Sequence, residues 1–206
     1  MDSAPDGDPK ALLKAVDNLS KEDINVIHVG DIKGQLIDEA IQPLKPKIIV
    51  EMGTYIGYSA IRLASEALKM EQDVQIHTYD VNAQMVEIAQ KMVNKAGLDS
   101  VIHIHHGRFH DLAPELQAIL GSENPVDLFL LDHWKPSYVP DTQRLMELGL
   151  LRRGSLLIAD NCLIPGAPEF VDYIQKAPEW NSKMVKTLYR ENLTDEDGVI
   201  FAAYRG

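Results

Sequence analysis

The sequence is poor in cysteine, in positive charge and in long apolar runs, and each shortage removes a class of protein. Cys162 is the only cysteine among 206 residues, so no intrachain disulfide can form and no cysteine framework for zinc exists, which suits a reducing compartment. Lysine and arginine number 20 against 31 aspartates and glutamates, for a formal net charge of -11. The basic residues form no stripe, so a surface that tracks phosphates is excluded and no nucleic-acid partner is expected. No apolar stretch reaches membrane-spanning length, and the opening MDSAPDGDPK is acidic and polar where a secretory leader would be basic and then apolar. A cytoplasmic chain without a membrane partner is the expectation. Internal repeats and low-complexity tracts are missing as well. At this length, with 45% hydrophobic and 25% charged residues, the chain should fold as one domain spanning 1–206, and a monomer is expected.

The order of elements is more informative than the bulk. Residues 9–19 (PKALLKAVDNL) and 32–44 (IKGQLIDEAIQPL) carry apolar positions at helical spacing, and Pro43 and Pro46 should close the second stretch. Together they form a helical preface, 1–46. From Lys47 onward, short β-branched runs alternate with amphipathic stretches: KIIVEM, SAIRLASEALKM, VQIHTYD, AQMVEIAQKMVNKAG, VIHIHH, LAPELQAIL, VDLFLLD, VPDTQRLMELGLL, SLLIAD and PEFVDYIQKA. Five strands, each followed by a helix, predict an α/β fold whose parallel sheet is covered on both faces. The last two strand-like runs, 183–193 and 198–204, are joined only by TDED. That link is too short for a crossover helix, so they should pair as a hairpin and place an antiparallel strand at the sheet edge.

Ligands of open parallel sheets bind at the carboxyl ends of the strands, near the point where strand order reverses. The first strand runs into EMGTYIGYS, where Gly53 and Gly57 would let backbone approach a ligand that a Cβ would obstruct. The spacing is Gly-x-x-x-Gly, whereas the dinucleotide fingerprint Gly-x-Gly-x-x-Gly is interrupted by Thr54-Tyr55-Ile56, which argues against a nicotinamide dehydrogenase. Asp80 ends the second strand, where a carboxylate can accept both hydroxyls of a ribose. The plainer alternative is that the glycines only make a tight turn and Asp80 only caps the next helix.

The fourth strand ends in LLDHWK and the fifth in LIADN, which sets Asp132, Asp160 and Asn161 at the same sheet edge as Gly53. Two carboxylates and an amide oxygen, with no thiolate, suit a hard cation that keeps some waters, so Mg²⁺ is the expected metal. A hydroxyl beside such an ion loses its proton more easily, and Lys135 could take that proton. Taken singly, each of these residues could instead be a helix cap or a solvated lysine. His103, His105 and His106 alternate with Ile102 and Ile104 as a strand with one apolar face would, and are read as structural. Cys162 is read as a core or lining residue. Tyr55, Tyr58 and Trp134 could be packing aromatics, with Trp134 also placed to form a pocket wall.

With these residues assembled, the chain resembles the catechol O-methyltransferase family over nearly its whole length. The resemblance runs from GDPKALLKAVDNL and VGDIKGQLIDEAI through VEMGTYIGYSAIRLA, DHWKPSYVPDT, GLLRRGSLLIADN and PGAPEF to DGVIFAAYRG. It implies the Rossmann-like class I methyltransferase fold, a seven-stranded, mostly parallel sheet with one antiparallel strand, and it implies S-adenosylmethionine and Mg²⁺ as cofactors. By that resemblance Asp132, Asp160 and Asn161 would hold Mg²⁺, and Lys135 would act as base on a catechol hydroxyl. Asp80 would hold the cofactor ribose, and Val81 would also belong to the cofactor-binding set. Glu51, Gly53, Tyr55 and Ser59 would line the cofactor's amino-acid end. Val29 and the GRFHD turn, with Gly107 and His110, would enclose its methionyl and adenine portions, next to Asp132 and Trp134. Trp134 and Pro165 would flank the acceptor ring. Two stretches depart from the family pattern. INVIHVGD has no aromatic residue where mammalian members close over the catechol, and Asn25 stands there instead. In TLYRENL the acceptor-orienting glutamate of the family is matched by Glu191 on chemistry, or by Tyr189 on spacing. The acceptor implied is a small catechol-type molecule; a caffeoyl-type ester or secondary-metabolite diphenol, and a non-catalytic S-adenosylmethionine-binding protein, are the alternatives.

Overall fold

The computed structural model describes residues 4–22, 28–71, 73–121, 123–189 and 194–206. Two helices, α1 (Pro9–Glu22) and α2 (Gly30–Leu44), precede the alternating part. There β1 (Ile48–Met52), α3 (Tyr58–Ala67), β2 (Gln75–Asp80), α4 (Ala83–Ala96), β3 (Ile102–His106), α5 (Phe109–Leu120), β4 (Val126–Leu131), α6 (Tyr138–Glu147), β5 (Leu151–Ala159) and α7 (Pro168–Lys176) follow in turn. The chain finishes with β6 (Trp180–Leu188) and β7 (Glu196–Tyr204). Pro43 lies inside the last turn of α2, and the stop comes at Lys45, whose left-handed backbone lets its N–H reach the Ile41 carbonyl.

The strands form one seven-stranded sheet in the order β3-β2-β1-β4-β5-β7-β6. Neighbours among β1 to β5 pair in parallel, and β7 runs antiparallel to both β5 and β6. The reversed strand therefore lies one place in from the edge. The hairpin folds back so that its second strand, richer in buried apolar residues, covers the exposed ladder of β5, while the more polar β6 takes the rim.

Alternation along the strands divides the core into two layers. Ile49 and Ile76 face one layer with Leu12 of α1, Ile37 and Ile41 of α2, Ile61 of α3 and Val93 of α4. Val50, Met52 and Phe129 face the other, against Phe109 and Leu116 of α5, Tyr138 and Leu145 of α6, and Phe170 of α7. β4 is buried along its whole length, as a central parallel strand with both faces covered should be. Ile102 and Ile104 join the first layer, and on the opposite side of β2 and β3 the rings of His77, His103 and His105 stack, with His77 Nδ1 3.0 Å from His105 Nε2. The chain passes from β1 outward to β3 and then returns across the sheet to β4, so a crevice opens at the carboxyl ends of β1 and β4.

Candidate active site

That crevice is a cavity of about 1100 Å³, lined from the ends of β1, β2, β4 and β5. Of the residues expected from sequence on the cofactor side, Val29, Gly53, Tyr55, Ser59, Asp80, Val81, Gly107, His110, Asp132 and Trp134 all line it. So do Lys135, Asp160, Asn161, Pro165 and Tyr189. Glu191 and Asn25 lie outside the described residues.

Glu51 is the exception: it is fully buried beneath the floor and does not reach the wall. The hydroxyl of Thr78 donates to its Oε2 at 2.5 Å, whereas its Oε1 is buried without a hydrogen-bond partner. Burial pushes the Glu51 carboxyl up to about 7, against hydrogen bonds from Ser59 and Thr78 that pull it down. The unsatisfied oxygen leaves one buried acceptor under the β1–α3 loop for a ligand group above it.

The loop itself is fixed by protein contacts. The N–H groups of Gly53 and Thr54 both donate to the Tyr79 carbonyl, at 2.9 and 3.2 Å. A Cβ on Gly53, where φ is 106°, would stand 2.6 Å from the Asp132 carbonyl oxygen, and one on Gly57 would meet Ala89 at 3.4 Å. These glycines thus let the loop lie against β4 and α4, a tighter constraint than the ligand approach expected of them. Asp80 accepts the Tyr55 N–H on Oδ2 and the Asn82 N–H on Oδ1, both at 2.8 Å. It ties the loop to β2, and Asn82, not Asp80, caps α4 by accepting from Gln84 and Met85. Across the cavity, buried Asp141 holds His133 Nε2 at 2.7 Å and lies 3.6 Å from His110 Nδ1, linking the start of α5 to the turn after β4. Nothing in VPDTQ marked that aspartate.

At the ends of β4 and β5 the side chains converge as the strand ends require. Lys135 Nζ lies 3.3 Å from Asp132 Oδ1, 3.3 Å from Asn161 Oδ1 and 2.7 Å from the Tyr138 hydroxyl. The Tyr138 hydroxyl sits 2.7 Å from the Leu131 carbonyl and 3.0 Å from that of Asp160, which leaves its oxygen to accept from Lys135. Burial holds the Tyr138 phenol well above its ordinary pKa, so it stays protonated. Asn161 adopts a left-handed backbone, φ 56°, which asparagine tolerates, and this turns its side chain into the cluster. Burial, and then the like charge of Asp160, raise the Asp132 carboxyl against the pull of Lys135.

A lysine and an aspartate that drew no notice in the sequence complete the cluster. Lys33, buried on α2, donates to Asp160 Oδ1 and to Asp197 Oδ2, each at 2.7 Å. Burial pulls its ammonium down, but the two carboxylates outweigh that and leave it raised. Three carboxylates and an amide oxygen face two lysines, so the cluster is short of positive charge. Among the described residues no group of three or more His, Cys, Asp or Glu side chains is placed to hold a metal ion. A cation here would depend on the Asn161 amide as third donor, a hard, all-oxygen set that suits Mg²⁺.

A seven-stranded sheet with its penultimate strand reversed, and a deep crevice beside β1, is the Rossmann-like methyltransferase fold. The family model described as O-methyltransferase matches residues 2–196, and the chain belongs to that family. It is 36% identical over 203 residues to the catechol O-methyltransferase of Mus musculus, covering 98% of this chain and 75% of the relative. With the catechol O-methyltransferase of Sus scrofa it shares 36% identity over 180 residues, covering 87% of this chain and 94% of the relative. Among solved structures, the O-methyltransferase TomG from Streptomyces achromogenes, involved in tomaymycin synthesis and in complex with SAM, superposes with a TM-score of 0.79 at 21% identity, covering 95% of this chain and 90% of that one.

Proposed function

We propose that this O-methyltransferase moves the methyl group of S-adenosylmethionine to one hydroxyl of a vicinal diphenol, with Mg²⁺ held by Asp132, Asp160 and Asn161. The observation that carries the reading is the position of Lys135 Nζ, 3.3 Å from both the Asp132 and the Asn161 oxygens. A base and two metal donors thereby share one wall of the cavity. When bound there, a divalent cation would supply Lewis acidity to a hydroxyl of the acceptor. Lys135, in its neutral amine form, receives the hydroxyl proton at Nζ, and Tyr138 keeps that nitrogen aimed. Asp80 and the loop it fixes seat the cofactor's ribose and amino-acid end, with Glu51 Oε1 answering its positive charge from below. Trp134, 74% exposed at the rim, walls the acceptor ring with Pro165 and Tyr189. Fixing both oxygens of the acceptor supplies orientation worth up to about 7–11 kcal/mol of the barrier in favourable cases.

A larger diphenol is the second reading, favoured by the exposure of Trp134 and by the lack of an aromatic residue in INVIHVGD. One assay addresses both: methylation of simple catechols, of a monohydroxy phenol and of caffeoyl-type esters, each with and without chelator. Methylated catechol that disappears on chelation, with little product from the monophenol, is expected. Undiminished methylation after the metal is stripped would overturn the proposal.

A further inference from the structure

Asp197, the second residue of β7, is fully buried and collects five hydrogen bonds. Its Oδ1 accepts the backbone N–H groups of Leu163, Ile164 and Gly198 at 3.0, 2.9 and 2.7 Å. Its Oδ2 accepts Lys33 Nζ at 2.7 Å and Asn161 Nδ2 at 3.0 Å. A side-chain amide has two ends of nearly the same shape, and only the oxygen end can bind a cation. A carboxylate can only accept, so whichever end of Asn161 faces Asp197 must be the NH₂. The oxygen is thereby turned the other way, to the side where Lys135 lies 3.3 Å from it.

Lys33 supplies the countercharge, and it acts on Asp160 as well. The Lys33 ammonium and the Asn161 backbone N–H both bind Asp160 Oδ1, at 2.7 Å each, so that Oδ2 is the oxygen kept for a ligand. Its position on α2 makes one ammonium the link between the helical preface, the end of β5 and the start of β7. The ring of Tyr189, past the end of β6, packs over the same ammonium at 5.5 Å.

We propose that Asp197, with Lys33 as its countercharge, is a positioning residue that locks the Asn161 amide oxygen-first toward the divalent cation. The inference rests on the cation reading given above, and groups of this kind behind a metal ligand change metal affinity by about 10–100-fold when altered. Asparagine in place of Asp197 can donate as well as accept, which frees the Asn161 amide to turn over.

The test is Mn²⁺ binding followed by electron paramagnetic resonance, on the wild type, on Asp197→Asn and on Lys33→Met, with S-adenosylmethionine binding measured by calorimetry on the same samples. Both variants are expected to bind Mn²⁺ about tenfold more weakly or worse, with cofactor affinity unchanged. A wild type that binds no Mn²⁺ removes the cation reading itself. A wild type that binds it, beside variants that bind it equally well, removes this inference and leaves that reading standing. Parallel loss of cofactor binding would mark a merely structural role and would also overturn it. Should the variants not fold, the wild type carries the test alone: with Mg²⁺ present, the Asn161 side-chain NH₂ should exchange slowly with solvent by NMR. Exchange at the rate of a free amide would sink the inference.

Discussion

Thr78 and Glu51 meet beneath the floor of the cavity, the threonine hydroxyl donating to the carboxylate at 2.5 Å with both side chains fully buried. This bond and the pull of Ser59 do not offset the loss of water around the carboxyl, and Glu51 is held at about 7 instead of its usual 4.5. The folded protein keeps a proton there that the unfolded chain gives up. The resulting stabilisation is complete below pH 4.5 and is lost as pH rises through 7. The shift corresponds to about 3 kcal/mol. Urea unfolding of Glu51→Gln between pH 4.5 and 8 is expected to lack this decline. Curves for the two proteins that run parallel would show that Glu51 titrates normally.

His77 should give the opposite slope. Burial, and then its neighbours His105 and His103, depress the imidazole to about 4 from 6.5. The unfolded chain takes up a proton that the folded one refuses, so this contribution is present above pH 6.5 and fades as pH falls toward 4. Its size is again about 3 kcal/mol. His77→Phe, which keeps an uncharged ring at the position, is expected to weaken the acid sensitivity in that window. The check is thermal unfolding at pH 7 and pH 5; an unchanged difference between the two would refute the assignment.

Gly53 and Gly57 should differ in their tolerance of a methyl group. At Gly53 the new Cβ would lie 2.6 Å from a backbone oxygen, whereas at Gly57 it would lie 3.4 Å from a side-chain carbon. Both positions have positive φ, a strain of about 1–2 kcal/mol for an L-residue. Gly57→Ala should cost about that much, and Gly53→Ala clearly more, with a loop displaced from Asp132. Chemical denaturation ranks the two, and the reverse order would contradict the packing described.

Lys135→Ala should lower turnover by about 10²–10⁴-fold, the range for loss of a positioned acid or base. S-adenosylmethionine affinity should stay the same, because none of the hydrogen bonds of Lys135 reaches the β1–α3 loop. Single-turnover kinetics on catechol and calorimetry with the cofactor measure the two quantities separately. Wild-type turnover in the variant would remove Lys135 as the proton acceptor.

Much of this arrangement is legible from residue order alone. Strand-to-helix alternation fixes which chain segments end at the crevice, so Gly53, Asp80, Asp132, Asp160 and Asn161 announce themselves by being the residues that follow apolar runs. The short TDED link marks the hairpin. Its place in the sheet does not follow, because either strand of a hairpin can take the edge; burial of Val199 and Ile200 on β7 decides it. Lys33 was illegible for a different reason. A lysine in an amphipathic helix reads as solvated, and its partners lie 127 and 164 residues away in sequence. Glu51 reads from sequence as a lining residue, whereas it is part of β1 and lies beneath the floor; a strand residue's alternation cannot tell a wall from a foundation. The glycines read as room for a ligand, and the protein's own atoms, Asp132 backbone at Gly53 and Ala89 at Gly57, take up that room first.

The bond between Lys33 and Asp197 closes a loop of chain that contains every strand from β1 to β6. Forming that pair needs contact between residues 164 apart in sequence, a long-range closure that comes late in folding because closing so long a loop costs chain entropy. The Lys33–Asp197 end of the crevice should therefore order after the β1–α3 loop, whose Gly53 and Thr54 N–H groups reach only to Tyr79 on the neighbouring strand.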